Sequence, residues 1–97
     1  MEIEFRDRRL EACYGHPESG VRAWGDVVAR KFVQRVNQIA AAQDQRELYA
    51  LRSLRLHQLT GDRAGRWAMV VHGSWRLELT FAGNTAVIEE VTNHYGD

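Results

Sequence analysis

Two histidines and a group of arginines are the residues of this chain whose types suit cleavage of a phosphodiester. An imidazole exchanges protons near neutral pH, so His57 and His94 could each act as an acid or a base. Arg76 could clamp a phosphate, with Arg63 and Arg66 in the preceding loop as helpers. Cutting RNA without a metal needs a base for the 2′-hydroxyl, an acid for the leaving oxygen and such cations. The residues alone leave open which histidine is the base.

Other chemistries have little support in the sequence. The single cysteine, Cys13, excludes an internal disulfide, and a nucleophilic role is not expected because no neighbouring base can be identified. The four histidines show no short metal-ligand spacing, so we predict no metal site. Neither a Walker loop nor a G-x-G-x-x-G motif is present. We therefore predict that the protein uses no cofactor.

Length and charge indicate one small cytoplasmic domain spanning residues 1–97, with a local basic region. The net charge of zero argues against a strongly basic nucleic-acid binder. Between Arg52 and Arg76, however, five arginines face one acid, Asp62. No apolar run approaches the roughly 20 residues that span a bilayer, so we expect no membrane association. The first residues carry acids where a signal peptide would carry bases.

The first half of the chain predicts two helices that would support these residues. Apolar residues at helical spacing predict a helix over residues 26–42, with Asp26 as its cap; they are Val28, Phe32, Val36 and Ile39. A second helix should start at the capping box formed by Asp44 and Glu47, and bury Leu48 and Leu51. Residues 14–20 contain two glycines and a proline and predict a loop, while residues 3–5 suit a short strand.

After Leu54 the apolar spacing changes to that of strands. Two runs alternate, one over residues 67–71 and one over residues 75–81. Placing both on one buried face puts Val71 opposite Trp75, with a three-residue turn at 72–74. Arg76 and Glu78 then face outward, with Val70 across from Arg76. A turn at 82–85 and a final strand over 86–91 complete an α+β domain, in which two N-terminal helices pack on a twisted, mainly antiparallel sheet.

The motif L-H-x-L-x-G-D-R-x-G-x-W from Leu56 to Trp67, followed by G-x-W-R ending at Arg76, resembles the HigB branch of the RelE-type bacterial toxins. The resemblance implies a RelE-like small domain and a ribosome-dependent endoribonuclease that cuts mRNA in the A site. It implies active-site roles for His57, Arg76 and His94, and Tyr95 could supply an aromatic ring beside them. The expected partners are the ribosome, mRNA and a small HigA-like helix-turn-helix antitoxin, whose complex with the toxin could bind operator DNA.

Four positions depart from the HigB-like pattern and keep a second interpretation open. Thr60 and Val70 stand where many of these toxins have a lysine and an arginine, and Thr92-Asn93 replaces the Asp-Tyr before the last histidine. The alternative is a toxin of the same fold that cleaves weakly or not at all, and acts by binding a protein target such as gyrase, as ParE-like toxins do. An unrelated small α+β domain is the third possibility.

Overall fold

A computed structural model describes residues 1–93, which form a five-stranded sheet with four α-helices. The helices are α1 (Arg8–Gly15), α2 (Pro17–Trp24), α3 (Asp26–Ala41) and α4 (Gln45–Ala50). The strands are β1 (Glu2–Phe5), β2 (His57–Gln58), β3 (Trp67–His72), β4 (Trp75–Ala82) and β5 (Thr85–Thr92). Short 3-10 helices at Arg52–Leu54 and Gly61–Arg63 flank β2.

The sheet has the strand order β1-β5-β4-β3-β2. Strands β2 to β5 pair antiparallel, and β1 pairs with β5 in parallel, with Ile3 beside Ala86. The α+β class and the mainly antiparallel sheet are therefore confirmed. None of the helices in this part of the chain has the length and apolar character needed to cross a membrane.

Helix α3 lies against one face of the sheet and forms the hydrophobic core with it. Its four predicted apolar residues are all buried, and Phe32 and Ile39 are completely inaccessible. They pack with the inward-facing strand residues, which are Met69, Val71, Leu77, Leu79, Ala86 and Ile88. Trp24 contacts Phe32 edge to face, with ring centroids 5.0 Å apart. The predicted spacing thus located this helix to within one residue of its ends, but Asp26 is its first residue and Gly25, not Asp26, stands at the cap position.

The loop predicted over residues 14–20 is wrong, because α1 and α2 cover this segment. Pro17 occupies the first turn of α2, where its missing N–H costs no hydrogen bond. Gly20 is buried where α2 crosses α3, and a Cβ there would lie 3.0 Å from the Cβ of Ala29. The proline and this glycine therefore serve a helix start and a close helix contact. Residues 1–93 thus contain two more α-helices than were predicted.

Helix α4 begins at the predicted cap. The Asp44 side chain accepts a hydrogen bond from the Glu47 amide at 3.1 Å, and Glu47 in turn accepts one from the Gln43 amide at 3.0 Å. Leu48 is buried as expected. The prediction for Leu51 is wrong: this side chain is 44% exposed, because the helix ends at Ala50 and the chain turns away.

The β3–β4 hairpin differs from its predicted register at one point. Val70 lies across from Arg76 as expected, but His72 pairs with Trp75, so the turn has two residues rather than three. Val71 is the extra residue of a β-bulge. Gly73 opens the turn with φ of 56°, a conformation that suits glycine. On α3, Arg35 donates hydrogen bonds to the carbonyl oxygens of Val70 and Val71 at 2.8 and 3.3 Å. These backbone oxygens at the bulge thereby have hydrogen-bond partners.

Candidate active site

The candidate site lies on the face of the sheet opposite the hydrophobic core, called the outer face below. Directly paired residues of antiparallel strands share a face. One row across the outer face runs from His57 through Ala68 and Glu78 to Glu90, and the next from Val70 through Arg76 to Thr92. The fold therefore places His57 and Arg76 on one face, two residues apart along the strand direction.

A β-bulge in β5 gathers carboxylates on this face. Glu78 pairs with Glu90 and Leu79 pairs with Ile88, so Glu89 is the extra residue. Thr80 donates to Glu89 at 2.8 Å, and Arg6 donates to the other oxygen of that carboxylate at 3.1 Å. Because of the bulge, two consecutive glutamates project to the outer face instead of alternating between the two faces.

Glu78 is completely buried beneath the loop of residues 59–66, called the 59–66 loop. Arg63 donates a short hydrogen bond to one carboxylate oxygen, and Arg66 donates to the other at 3.0 Å. Arg66 also reaches Glu90 at 3.3 Å. The hydrogen bond that Arg66 donates to Glu78 raises the pKa of Arg66, so its guanidinium stays charged. A backbone hydrogen bond of 2.8 Å from Leu59 to Arg66 closes the base of the loop.

These contacts change the expected role of two predicted phosphate ligands. Arg63 and Arg66 do lie together on the outer face, but both bind carboxylates of the same molecule. Their charge is thereby largely balanced, whereas a phosphate ligand needs excess positive charge. Glu78 was expected to face solvent; it lies on the predicted face, and the loop arginines cover it. No sequence pattern indicated this cluster, apart from acids at Glu78, Glu89 and Glu90 in otherwise apolar strands.

Arg76 is half-buried and bends toward the β3–β4 turn. Its Nη1 atom donates to the carbonyl oxygens of Gly73 at 2.6 Å and Trp75 at 3.0 Å. The guanidinium is thus held at the end of the hairpin, in the same row as Thr92, the last residue of β5. His94 and Tyr95 lie outside the described residues, so their expected roles remain predictions.

His57 is exposed at the start of β2, and its ring is oriented by the backbone. Nδ1 lies 2.9 Å from the carbonyl oxygen of Arg55. A carbonyl oxygen can only accept, so this hydrogen bond requires the proton on Nδ1. In the neutral ring Nε2 then carries the lone pair, the state needed to accept a proton from a substrate. The contact gives His57 the tautomer of a general base.

Trp67 and Trp75 are both partly buried against the hydrophobic core, and Trp67 contacts Phe81 edge to face at 6.1 Å between ring centroids. In residues 1–93 no three side chains of the histidine, cysteine or carboxylate type are placed to hold a metal ion.

Comparison with known proteins identifies the fold. No protein-family model and no curated protein matches this sequence. Among solved structures, a chain of the YoeB–YefM complex from Staphylococcus aureus superposes with a TM-score of 0.61 at 15% identity, over 98% of each chain. The fold is that of the YoeB and ParE toxins. The YoeB/ParE toxin from Agrobacterium tumefaciens gives a TM-score of 0.58 at 14% identity, covering 98% of this chain and all of that one.

Proposed function

We propose that this protein is the toxin of a type II toxin–antitoxin pair and acts as a metal-independent endoribonuclease on mRNA in the ribosomal A site. The observation that carries the proposal is the exposed His57, oriented as a base on the outer face of a sheet with the YoeB/ParE fold. The site of action would be the cytoplasm, where ribosomes and mRNA are found.

In the proposed reaction, His57 and Arg76 of the outer face act together with His94, which lies outside the described residues. Nε2 of His57 takes the proton of a 2′-hydroxyl, and the 2′-oxygen attacks the adjacent phosphorus. Arg76 offsets the charge that develops on the phosphate oxygens. As the bond to the 5′-oxygen breaks, His94 supplies the proton that this leaving group needs. The products are a 2′,3′-cyclic phosphate and a 5′-hydroxyl, which balances atoms and protons.

The structural likeness to a chain of a toxin complex supports an antitoxin partner for this chain. In line with the HigB-like motif, we propose a small HigA-like helix-turn-helix protein, whose complex with the toxin binds operator DNA. Binding of that antitoxin would either cover the candidate site or hold the toxin away from the ribosome.

One observation favours the second candidate function, a toxin that binds a protein target such as gyrase without cleaving RNA. Arg63 and Arg66 are neutralised by glutamates of their own chain, so the outer face offers less free positive charge than an RNA-cutting face calls for. A face on which positive and negative groups balance is suited to binding a protein surface that also carries groups of both signs.

Inducible expression with mapping of mRNA 5′ ends in the same cells tests the proposal. We expect growth arrest and new cuts inside translated codons. Loss of one acid–base group lowers a rate by about 10²–10⁴-fold, so His57→Ala should abolish the cuts. His16→Ala is the matched control, since His16 is exposed at the junction of α1 and α2, away from the site. Arrest that persists in His57→Ala without cuts would favour the protein-binding alternative.

A further inference from the structure

A concave patch beside His57 is formed by one continuous segment, from the end of α4 to the start of β2. Its cavity of about 540 Å³ is lined by Tyr49, Ala50, Arg52, Arg55 and Leu56, called the 49–56 patch below. A volume of this size is typical of sites that take a small ligand or a few units of a polymer. The side chains of the patch have no assigned part in the chemistry described above.

The 49–56 patch carries positive charge that the protein does not neutralise. Arg52 and Arg55 are exposed, and in the described part of the chain neither guanidinium makes an ion pair or a side-chain hydrogen bond. On the neighbouring α4, by contrast, Arg46 pairs with Asp44 at 3.6 Å. The arginines of the 59–66 loop are likewise paired. Arg52 and Arg55 therefore present a polyanion with two exposed cations that no described carboxylate compensates.

An exposed aromatic ring stands beside these cations. Tyr49 is 65% exposed, the largest exposure among the bulky apolar residues of the described chain. Arg55 adopts a left-handed backbone conformation with φ of 51°, unusual for a residue other than glycine. Arg52 and Arg55 line the same cavity. An aromatic platform with adjacent cations is the arrangement that single-stranded nucleic acids bind.

The patch is continuous with the candidate active site. The carbonyl oxygen of Arg55 is the acceptor that fixes Nδ1 of His57 at 2.9 Å. A strand whose phosphates contact Arg52 and Arg55 would thus reach His57 within a few nucleotides. We propose that the 49–56 patch is a subsite for single-stranded RNA, with one base stacked on Tyr49 and the adjoining phosphates held by Arg52 and Arg55. This inference rests on the proposed function for its choice of RNA.

Direct binding of a labelled RNA oligonucleotide of about 12 nucleotides tests the subsite. A 2′-O-methyl oligonucleotide cannot be cleaved, so fluorescence anisotropy reports binding alone. Each phosphate contact to a single strand contributes about −0.7 to the slope of log affinity against log salt. The double variant Arg52→Gln/Arg55→Gln should therefore make that negative slope shallower by about 1.4 and weaken binding at least about tenfold at low salt. Arg46→Gln is the matched control and should stay within about twofold of wild type.

Substitutions of Tyr49 separate stacking from general effects of the surface. Tyr49→Ala should weaken binding about tenfold, because it removes one stacked base. Tyr49→Phe keeps the ring and should bind like wild type. The thermal unfolding curve of each variant confirms that it is folded, as expected for exposed positions. Equal affinities of all variants, or no binding by the wild type at low salt, would overturn the proposal.

The outcomes distinguish failure of the subsite from failure of the proposed function. If patch variants bind the oligonucleotide like wild type while His57→Ala still abolishes cutting in cells, the subsite is wrong and the nuclease stands. If the patch binds RNA as described but no transcript is cut, the subsite stands and the nuclease is wrong. If the patch variants bind RNA normally but lose a purified protein partner, the patch is a protein-docking surface and the proposal is overturned.

Discussion

Glu78 shows how strongly a single buried charge can constrain this small protein. Removing a carboxylate from water costs several kcal/mol unless cations and hydrogen bonds replace the solvent. Arg63 and Arg66 supply both, one to each carboxylate oxygen. Their attachment also fixes the 59–66 loop across the outer face. The two loop arginines therefore stabilise the fold, and any part they take in binding must be compatible with their contacts to Glu78.

Removing both arginines should destabilise the fold more than the loss of surface charges would. We expect Arg63→Ala/Arg66→Ala to lower the free energy of unfolding by about 3–5 kcal/mol, because Glu78 would remain buried without a cation. Adding Glu78→Gln to that variant should restore part of the loss. Denaturant unfolding measures both changes. Arg30→Ala is the control: its exposed pair with Asp26 should contribute less than about 1 kcal/mol, and an equal loss there would contradict this account.

At the residue scale, sequence reasoning found the outer face but not its charge balance. Arg76 lies across from Val70 as predicted. This placement follows from alternation, which is a local pattern. The burial of Glu78 depends on arginines 12 and 15 residues away in a loop, and no local pattern specifies where such a loop folds. The tautomer of His57 likewise depends on a backbone carbonyl, which the side-chain sequence does not reveal.

At the scale of elements, apolar periodicity predicted α3, which faces the core throughout its length. It missed α1 and α2, which are short. Helix α3 has 16 residues and presents a complete apolar stripe. Helices α1 and α2 have eight residues each, and Gly15, Pro17 and Gly20 interrupt their pattern. In the structure Asp7 caps the start of α1, since its side chain accepts a hydrogen bond from the Leu10 amide at 2.9 Å.

Alanine substitutions should distinguish the two structural settings of glycine in α1 and α2. Replacing a helical glycine by alanine normally gains up to about 1 kcal/mol. Gly15 has open space around it, so Gly15→Ala should be neutral or stabilising. Gly20→Ala should instead destabilise relative to it by about 1–3 kcal/mol, since the new methyl group would crowd Ala29. Thermal unfolding of the two variants provides the comparison; a gain in Gly20→Ala would show that the helices can separate at no cost.

At the scale of the whole molecule, the parallel pairing of β1 with β5 joins the two ends of the described chain. In a parallel pair of strands, the amides of every second residue donate hydrogen bonds to the same neighbouring strand. Glu2 donates to Asn84 at 3.0 Å and Arg6 donates to Ile88 at 2.9 Å, which places the Glu4 amide in the same ladder. This pairing places β1 as an edge strand beside β5, which contributes residues to the hydrophobic core.

A proline in β1 tests the weight of this pairing. Glu4→Pro removes one ladder donor and should lower the free energy of unfolding by at least about 1–3 kcal/mol. Glu4→Ala keeps the amide at an exposed position and should change it by less than about 0.5 kcal/mol. Circular dichroism and tryptophan fluorescence should report the same unfolding midpoint for wild type. Equal stability of the two variants would mean that β1 contributes little to the fold.

The position of β5 also governs the order of events during translation. Of the described strands it comes last along the chain, yet it lies between β1 and β4 in the sheet. A ribosome must therefore release nearly all of the described polypeptide before the sheet can close, although the β3–β4 hairpin can form earlier from neighbouring residues. Until then Glu90 and Thr92 are missing from the rows that contain His57 and Arg76. A nascent chain therefore cannot complete the outer face before β5 has been synthesised.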